Sequence, residues 1–174
     1  MTTIETDRLI LRPFAPSDEA TYAAIRSQPE TARFLPGGVE GAAKGAETAA
    51  RLVPYFAALW DDPGYGPWAV EEQATGRLIG HLGLRLLPEF EGETELLYAL
   101  DPAAQGRGYA VEGARAALDY GFGTLRLQRI VAFALPENAP SLKVMERVGM
   151  TRRAELAEAF GMQVAMAVIE RVEP

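Results

Sequence analysis

Short apolar runs bounded by turn residues recur along the chain and predict β-strands. The run at 96–100 is apolar throughout, which is typical of a strand in the middle of a sheet. A turn over residues 74–76 joins two of these runs into a hairpin. The seven predicted strands cover residues 8–14, 68–72, 78–86, 96–100, 129–135, 153–156 and 163–171.

Two helices are predicted in the first third of the chain, where apolar residues recur at helical spacing. The first covers residues 18–26, with Ser17 as its N-cap and acidic residues in its first turn. The second covers residues 46–60 and contains Pro54. A proline inside a helix removes a backbone donor, so we expect a kink there or a later start of the helix.

Two more helices follow the fourth and fifth strands. One begins after residue 110 and is amphipathic, because its apolar side chains share a single face. The other begins at its N-cap Asn138, tolerates Pro140 in its first turn and ends before Gly149. The resulting order β-α-α-β-β-β-α-β-α-β-β predicts an α/β fold. Its mixed seven-stranded sheet is flanked on both faces by about four helices.

Length and composition narrow the class of protein. A chain of 174 residues predicts one domain, spanning residues 1–174. The absence of cysteine and the single histidine, His81, argue against a disulfide or a metal site. We find no signal sequence and no apolar run long enough to span a membrane, which predicts a cytoplasmic protein without a membrane partner.

The net charge of −7 argues against binding to nucleic acid, which depends on basic residues. It would suit a cationic substrate such as an amine, although acidity for solubility alone is the preferred explanation.

The segment Gln105, Gly106, Arg107, Gly108, Tyr109 and Ala110 lies between the fourth strand and the amphipathic helix. Its two glycines allow the backbone to approach a ligand and to turn N–H groups towards it. The helix that follows places the positive end of its dipole at the same point. The segment therefore predicts a phosphate site, although the complete GxGxxG of a dinucleotide-binding domain is missing.

A second motif lies about thirty residues further on, where Asn138 is followed by Ser141 and, eleven residues after the asparagine, by Gly149. Together with the Q-x-x-G-x-A segment, this order resembles the GNAT superfamily of N-acetyltransferases. Residues 6–13 (TDRLILRP) and 79–84 (IGHLGL) resemble its ribosomal-protein N-acetyltransferase branch, the RimJ/RimL-like proteins. The resemblance covers nearly the whole chain and implies a GNAT-like acyl-CoA N-acyltransferase fold.

The resemblance also implies acetyl-CoA as cosubstrate. Backbone N–H groups of the segment from Gln105 to Ala110 would hold its pyrophosphate, with Arg107 as an added charge. The backbone of Tyr98, Ala99 and Leu100 would lie against the pantetheine arm in a gap between the fourth and fifth strands. The Leu100 N–H would then face the thioester carbonyl, and no metal is involved.

For catalysis, the resemblance requires a base for the attacking amine and an acid for the departing thiolate. Glu95 is our first candidate for the base, with Glu93 as the alternative. Many relatives carry a tyrosine acid where this chain has Met145, so we assign the acid to Ser141, with Tyr109 as a further candidate hydroxyl, or to no side chain at all. Asn138 would bind the pantetheine or an ordered water, and it is also a helix cap.

The predicted activity is acetyl transfer to a primary amine by direct attack in a ternary complex. The acceptor is a protein N-terminus or a small molecule such as a polyamine or an aminoglycoside. The alternative is an acyl-CoA-binding module without catalysis, which Met145 and Leu97 keep open. His81 is either structural or lines the substrate pocket, and the apolar stretch 164–169 would serve a homodimer.

Overall fold

The computed structural model describes residues 1–171 and contains eight strands and five α-helices. The strands are β1 (Ile4–Glu5), β2 (Leu9–Arg12), β3 (Pro67–Glu72), β4 (Arg77–Leu87), β5 (Glu93–Leu100), β6 (Arg129–Ala134), β7 (Thr151–Ala159) and β8 (Met162–Glu170). The helices are α1 (Glu19–Arg26), α2 (Pro29–Ala32), α3 (Gly45–Ala58), α4 (Tyr109–Gly123) and α5 (Ala139–Arg147). Short 3₁₀ turns cover Pro16–Asp18, Val39–Lys44 and Pro102–Ala104.

All eight strands form one mixed sheet in the order β1-β2-β3-β4-β5-β6-β8-β7. Every neighbouring pair is antiparallel except β5 and β6, which are parallel and are connected through α4. The predicted mixed sheet is therefore confirmed. It has one short extra strand, β1, at its edge.

Helices cover both faces of the sheet, as the element order predicts. Val70 and Ala69 are consecutive in β3, so their side chains point to opposite faces. Val70 belongs to a large apolar cluster that includes Ala114 and Leu118 of α4. Ala69 belongs to a second cluster, with residues of α1 and α3 such as Phe56. Each face of the sheet thus has its own core.

The helix boundaries differ from the prediction in three places. Ser17 is not the N-cap of α1, because it lies within the 3₁₀ turn and Asp18 occupies the cap position. The Asp18 carboxylate accepts a hydrogen bond from the Ala15 N–H and pairs with Arg12, at 2.8 Å in each case. Pro54 lies inside α3, which continues to Ala58. The short helix α2 was not predicted at all.

The predicted dimer strand, residues 164–169, falls within β8. This strand pairs with β6 on one side and with β7 on the other. An edge-to-edge dimer through β8 is therefore excluded, because its hydrogen-bonding groups are already used within the sheet. Within residues 1–171, no helix combines the length and the apolar character that a membrane span requires.

Candidate active site

The sheet opens between its two parallel strands. Glu95 and Val131 are the one aligned pair of β5 and β6, and beyond it the strands diverge towards the C-terminal end of β5. Asp101 donates its N–H to Ile79 of β4 at 2.7 Å. Because successive N–H groups of an extended strand point to opposite edges, those of Leu100 and Tyr98 face the opening. Ala99 instead directs its backbone groups to β4, where it is aligned with His81.

The glycine segment closes the end of this opening. Gly106 has φ of 73° and Gly108 has φ of 83°, a conformation that side chains disfavour. Gly108 is the N-cap of α4, so the first free N–H groups of that helix lie at the segment. Gln105 donates its side-chain amide to the Leu100 carbonyl oxygen at 3.0 Å and ties the segment to β5.

A first cavity of about 330 Å³ occupies the opening. The predicted cofactor residues that line it are Tyr98, Ala99, Leu100, Gln105, Gly106, Gly108, Tyr109, Ala110, Asn138 and Ser141. The cavity therefore brings together two motifs that lie about thirty residues apart in the chain. Its lining is partly polar and partly apolar, which suits an extended, partly apolar ligand beside β5.

Arg107 is the predicted cofactor residue that does not line the first cavity. Its guanidinium pairs with Glu72 of β3 at 2.8 Å. The Tyr109 hydroxyl donates to the same carboxylate at 2.6 Å, and this bond lowers the pKa of Glu72, with Thr75 and Arg107 contributing. Arg107 and the Tyr109 hydroxyl thus anchor the glycine segment to the sheet.

Several lining residues were missed from the sequence. Lys143 and Arg147 lie one turn apart in α5 and bring positive charge to the first cavity. Their spacing of four residues after a helix cap is the signal that could have found them. Thr31 and Phe34 come from the unpredicted region around α2. The Thr31 hydroxyl is buried and has no hydrogen-bond partner within residues 1–171.

A second cavity of about 370 Å³ lies beside residues 95–98 of β5, whereas the first lies beside residues 98–100. Residues of α1, α3, β4, β6, β8 and the β7–β8 turn line it, together with Glu95 and Tyr98 of β5. The two cavities share six residues: Phe34, Leu35, Tyr98, Phe133, Ala134 and Ser141. Any group transferred between a ligand in one cavity and a ligand in the other would pass these side chains.

Glu95 projects into the second cavity and is buried. Its carboxylate accepts a hydrogen bond from Arg85 at 2.5 Å. Burial raises the pKa of Glu95, while Arg85 opposes that increase. Glu93, the alternative base, pairs with Arg129 at 3.2 Å and lines neither cavity. The geometry places Glu95 at the site and Glu93 outside it.

Ser141 lies at the boundary of the two cavities, in the first turn of α5. Asn138 caps this helix, since its side-chain oxygen accepts the Ser141 N–H at 3.2 Å. The Ser141 hydroxyl lies 2.9 Å from the Tyr98 hydroxyl. Met145 is buried in the core and lines neither cavity. Two hydroxyl groups, those of Tyr98 and Ser141, therefore lie at the boundary of the cavities, and the sequence predicted the one of Ser141 as the acid.

His81 is buried, and its Nδ1 lies 2.8 Å from the Tyr22 hydroxyl. Burial lowers the pKa of His81 to about 3, with Arg26 and Arg85 contributing. It is therefore a neutral imidazole that also forms part of the wall of the second cavity. No cluster of side chains suited to a metal ion occurs within the described part of the chain.

Comparisons with known proteins identify the family. Residues 8–151 match the family described as the acetyltransferase (GNAT) domain. Over 155 residues the chain is 30% identical to the uncharacterized N-acetyltransferase YoaA of Bacillus subtilis (strain 168), which covers 89% of this chain and 86% of YoaA.

Solved structures show the same fold. The acetyltransferase from Agrobacterium tumefaciens str. C58 superposes with a TM-score of 0.80 at 28% identity, over 98% of this chain and 95% of that one. RimJ of Mycobacterium smegmatis, solved in complex with CoA-disulfide, shares the fold at 22% identity and a TM-score of 0.76, over 93% of this chain and 81% of RimJ. The chain therefore belongs to the GNAT family and is an acetyl-CoA-dependent N-acetyltransferase.

Proposed function

We propose that this chain acetylates a primary amine by direct attack in a ternary complex, with acetyl-CoA in the first cavity and the amine in the second. The observation that carries the proposal is the boundary shared by the two cavities, where Tyr98 and Ser141 lie beside the opening between β5 and β6. Both substrates can be bound at once on either side of this boundary. A covalent acetyl-enzyme is not required, and the chain contains no cysteine to form one.

The residues of the first cavity fit acetyl-CoA in three respects. The N–H groups at the start of α4 suit a pyrophosphate. Lys143 and Arg147 add positive charge, which suits the phosphates. The buried Thr31 hydroxyl has no hydrogen-bond partner among residues 1–171 and suits a polar group of an extended ligand.

Acetyl-CoA, when bound, supplies a thioester whose carbonyl carbon is open to attack by an amine. Leu100 directs its N–H into the opening, where such a donor stabilises negative charge on a carbonyl oxygen. Glu95 takes the proton of the incoming ammonium group, directly or through water, because a raised pKa makes it a stronger base than an ordinary glutamate. The ion pair with Arg85 favours the ionised form of Glu95 and so opposes the effect of burial on its pKa.

The Ser141 hydroxyl, hydrogen-bonded to Tyr98, supplies the proton or the hydrogen bond that the departing thiolate needs. Both hydroxyls lie where the two cavities meet, which is where the sulfur of the cosubstrate has to reach the amine. Asn138 contributes by fixing the first turn of α5 and therefore the position of Ser141. We propose this assignment in place of the tyrosine acid whose position Met145 occupies.

The proposal allows two kinds of acceptor. One is a protein N-terminus, as in a RimJ/RimL-like role, and the other is a small amine. The motif at residues 6–13 and the fold shared with RimJ support the first kind. The second cavity, of about 370 Å³, also suits a small molecule.

Calorimetric titration with acetyl-CoA, followed by thiol release over a panel of amines, tests the proposal. We expect Glu95→Gln to bind acetyl-CoA normally and to lose about a hundredfold or more in kcat. Glu155→Gln, on the exposed strand β7, is the matched control and should behave like the wild type. Loss of activity in Glu93→Gln but not in Glu95→Gln would move the base to Glu93. Binding without release for every amine would favour a CoA-binding module.

A further inference from the structure

We propose that the second cavity contains an anion subsite, formed by Arg26 and Arg51, and that the acceptor is a primary amine carrying a carboxylate or phosphate group. This inference rests on the proposed function, because it assigns the second cavity to the amine. It narrows the acceptor from amines in general to amines with a negative charge. Polyamines and aminoglycosides, which carry only positive charges, are disfavoured as acceptors.

The charges that line the second cavity do not balance. Three arginines reach it, from α1 (Arg26), α3 (Arg51) and β4 (Arg85). Within residues 1–171, Glu95 is the one carboxylate in its wall, and Glu95 is already paired with Arg85. Two guanidinium groups are therefore left without a counter-charge in the lining.

Neither Arg26 nor Arg51 forms a salt bridge with a described residue. The Nε of Arg26 is buried and has no hydrogen-bond partner within the described chain. The neutral Tyr22 lies close to Arg26, and burial raises the pKa of that phenol to about 12. A phenol that keeps its proton can accept a hydrogen bond from Arg26 but cannot neutralise its charge, so two positive charges in the lining have no anionic partner among the described residues.

A carboxylate or a phosphate is the group that meets this need. The planar guanidinium binds either anion through two parallel hydrogen bonds. Those from the half-buried Arg26 are shielded from water more than those from the exposed Arg51. A polycation would be repelled by the same two charges. The positive lining also contrasts with the chain as a whole, whose net charge is −7, so it is not a consequence of a basic composition.

The rest of the cavity fits such a molecule. Glu95 lies on β5 and suits the ammonium end, while Arg26 and Arg51 lie on helices that cover the sheet. Apolar walls from Leu52 and Phe56 suit an uncharged body between the two ends. The subsite therefore recognises one end of the acceptor and leaves the amine to the catalytic residues.

Matched acceptors test the inference. L-Phenylalanine is compared with its amide, 4-aminobutyrate with 4-aminobutanamide, and phosphoethanolamine with ethanolamine, with spermidine as the polycation. Two tetrapeptides that differ by aspartate or asparagine at the second position extend the comparison to a protein N-terminus. Thiol release gives KM and kcat for each, and calorimetry on CoA-loaded protein gives binding without turnover.

We expect at least one anionic member to bind about tenfold or more tightly than its neutral partner. Arg51→Gln should remove this preference and leave the weaker binding of the neutral partner unchanged, whereas Arg51→Lys should retain part of it. Arg153→Gln, on the exposed strand β7 and outside both cavities, is the matched control and should keep the full preference. Arg26→Gln is informative if its circular dichroism matches that of the wild type.

Tighter binding of spermidine or of the neutral partners to the wild type would overturn the inference. So would an Arg51→Gln variant that weakens both members of a pair equally. Binding of an anionic amine without thiol release would support the subsite and contradict the proposed function instead. Comparing the carboxylate pairs, the phosphate pair and the peptide pair shows which kind of negatively charged group the subsite binds.

Discussion

The hydroxyl oxygens of Tyr98 and Ser141 lie 2.9 Å apart at the boundary of the two cavities. The Tyr98 hydroxyl also lies 3.1 Å from the Ser141 carbonyl oxygen. Burial raises the pKa of Tyr98 to about 12, so the phenol keeps its proton at neutral pH. The phenol can donate its proton to the Ser141 carbonyl oxygen or to the Ser141 hydroxyl. Either bond holds the serine in place, and the second can replace a proton that the serine gives up. The two hydroxyls should therefore act as a unit.

If the two hydroxyls act as a unit, removing both should lower kcat no further than removing the more important one alone. We expect Ser141→Ala and Tyr98→Phe each to lower kcat by about tenfold or more. The double variant should be no slower than the slower single variant, because residues that act together are not additive. Steady-state thiol release at saturating substrates measures this.

Tyr65→Phe provides a matched control for this pair. Tyr65 and Thr94 form another buried hydroxyl pair, also 2.9 Å apart, and neither lines a cavity. Tyr65→Phe should leave kcat unchanged. Full multiplication of the Tyr98 and Ser141 effects in the double variant would show that the two hydroxyls act independently.

Arg85 should set the pH at which Glu95 becomes active. Glu95 has to be ionised to accept a proton, so activity falls as the pH drops through its pKa. Burial raises that pKa and Arg85 lowers it. Arg85→Gln removes the lowering influence, and we expect the acidic limb of kcat/KM to move to higher pH by about one unit or more.

The same amine is used for the wild type and the variant, so that the ionisation of the acceptor contributes equally to both profiles. Arg129→Gln removes the partner of Glu93 instead and should leave the profile in place. An acidic limb that moves with Arg129→Gln, or stays fixed in Arg85→Gln, would contradict the assignment of Glu95 as base.

Gly108 should be required for acetyl-CoA binding. Its φ of 83° lies in the left-handed region, which valine disfavours strongly. Gly108→Val should therefore rebuild the turn before α4 and weaken acetyl-CoA binding by about tenfold or more. Calorimetry measures the affinity directly.

Gly123→Val near the end of the same helix is the matched control. A Cβ at Gly123 meets no atom within 4 Å, and this glycine has no positive φ. It should bind acetyl-CoA as the wild type does. Unchanged affinity in Gly108→Val would contradict the phosphate role of the segment.

Local patterns in the sequence were sufficient for most of the sheet and for the helix caps that involve neighbouring residues. The apolar run at 96–100 is indeed a central strand, and Asn138 does cap α5. The cap of α1 was missed because Asp18 is held by Arg12 of β2 as well as by its own turn. A tertiary partner of this kind leaves no periodic signal in the sequence.

The candidate site, like the fold, was predictable from the sequence where local motifs determine it. The glycines of the segment and the pair Asn138 and Ser141 follow from local motifs, and they line the first cavity. The position of Arg107 does not follow from a local motif, because it is fixed by Glu72, which lies on a strand 35 residues earlier in the chain. Arg26 and Arg51 lie in unremarkable helical patterns. Only the packing of α1 and α3 over the sheet brings them to the wall of the second cavity.

His81 should make the protein less stable at acidic pH. Its pKa is about 3 in the folded state and about 6.5 when unfolded, so between these values only the unfolded chain takes up the proton. Stability therefore decreases as the pH falls below 6.5, and between pH 7.5 and 5.0 His81 should reduce the free energy of unfolding by about 2 kcal/mol. Urea unfolding of the wild type and His81→Gln at both pH values measures this. Contributions from the carboxylates, Glu95 included, are common to both proteins and cancel in the comparison. An equal loss of stability in the two proteins would mean that His81 takes up its proton in the folded state.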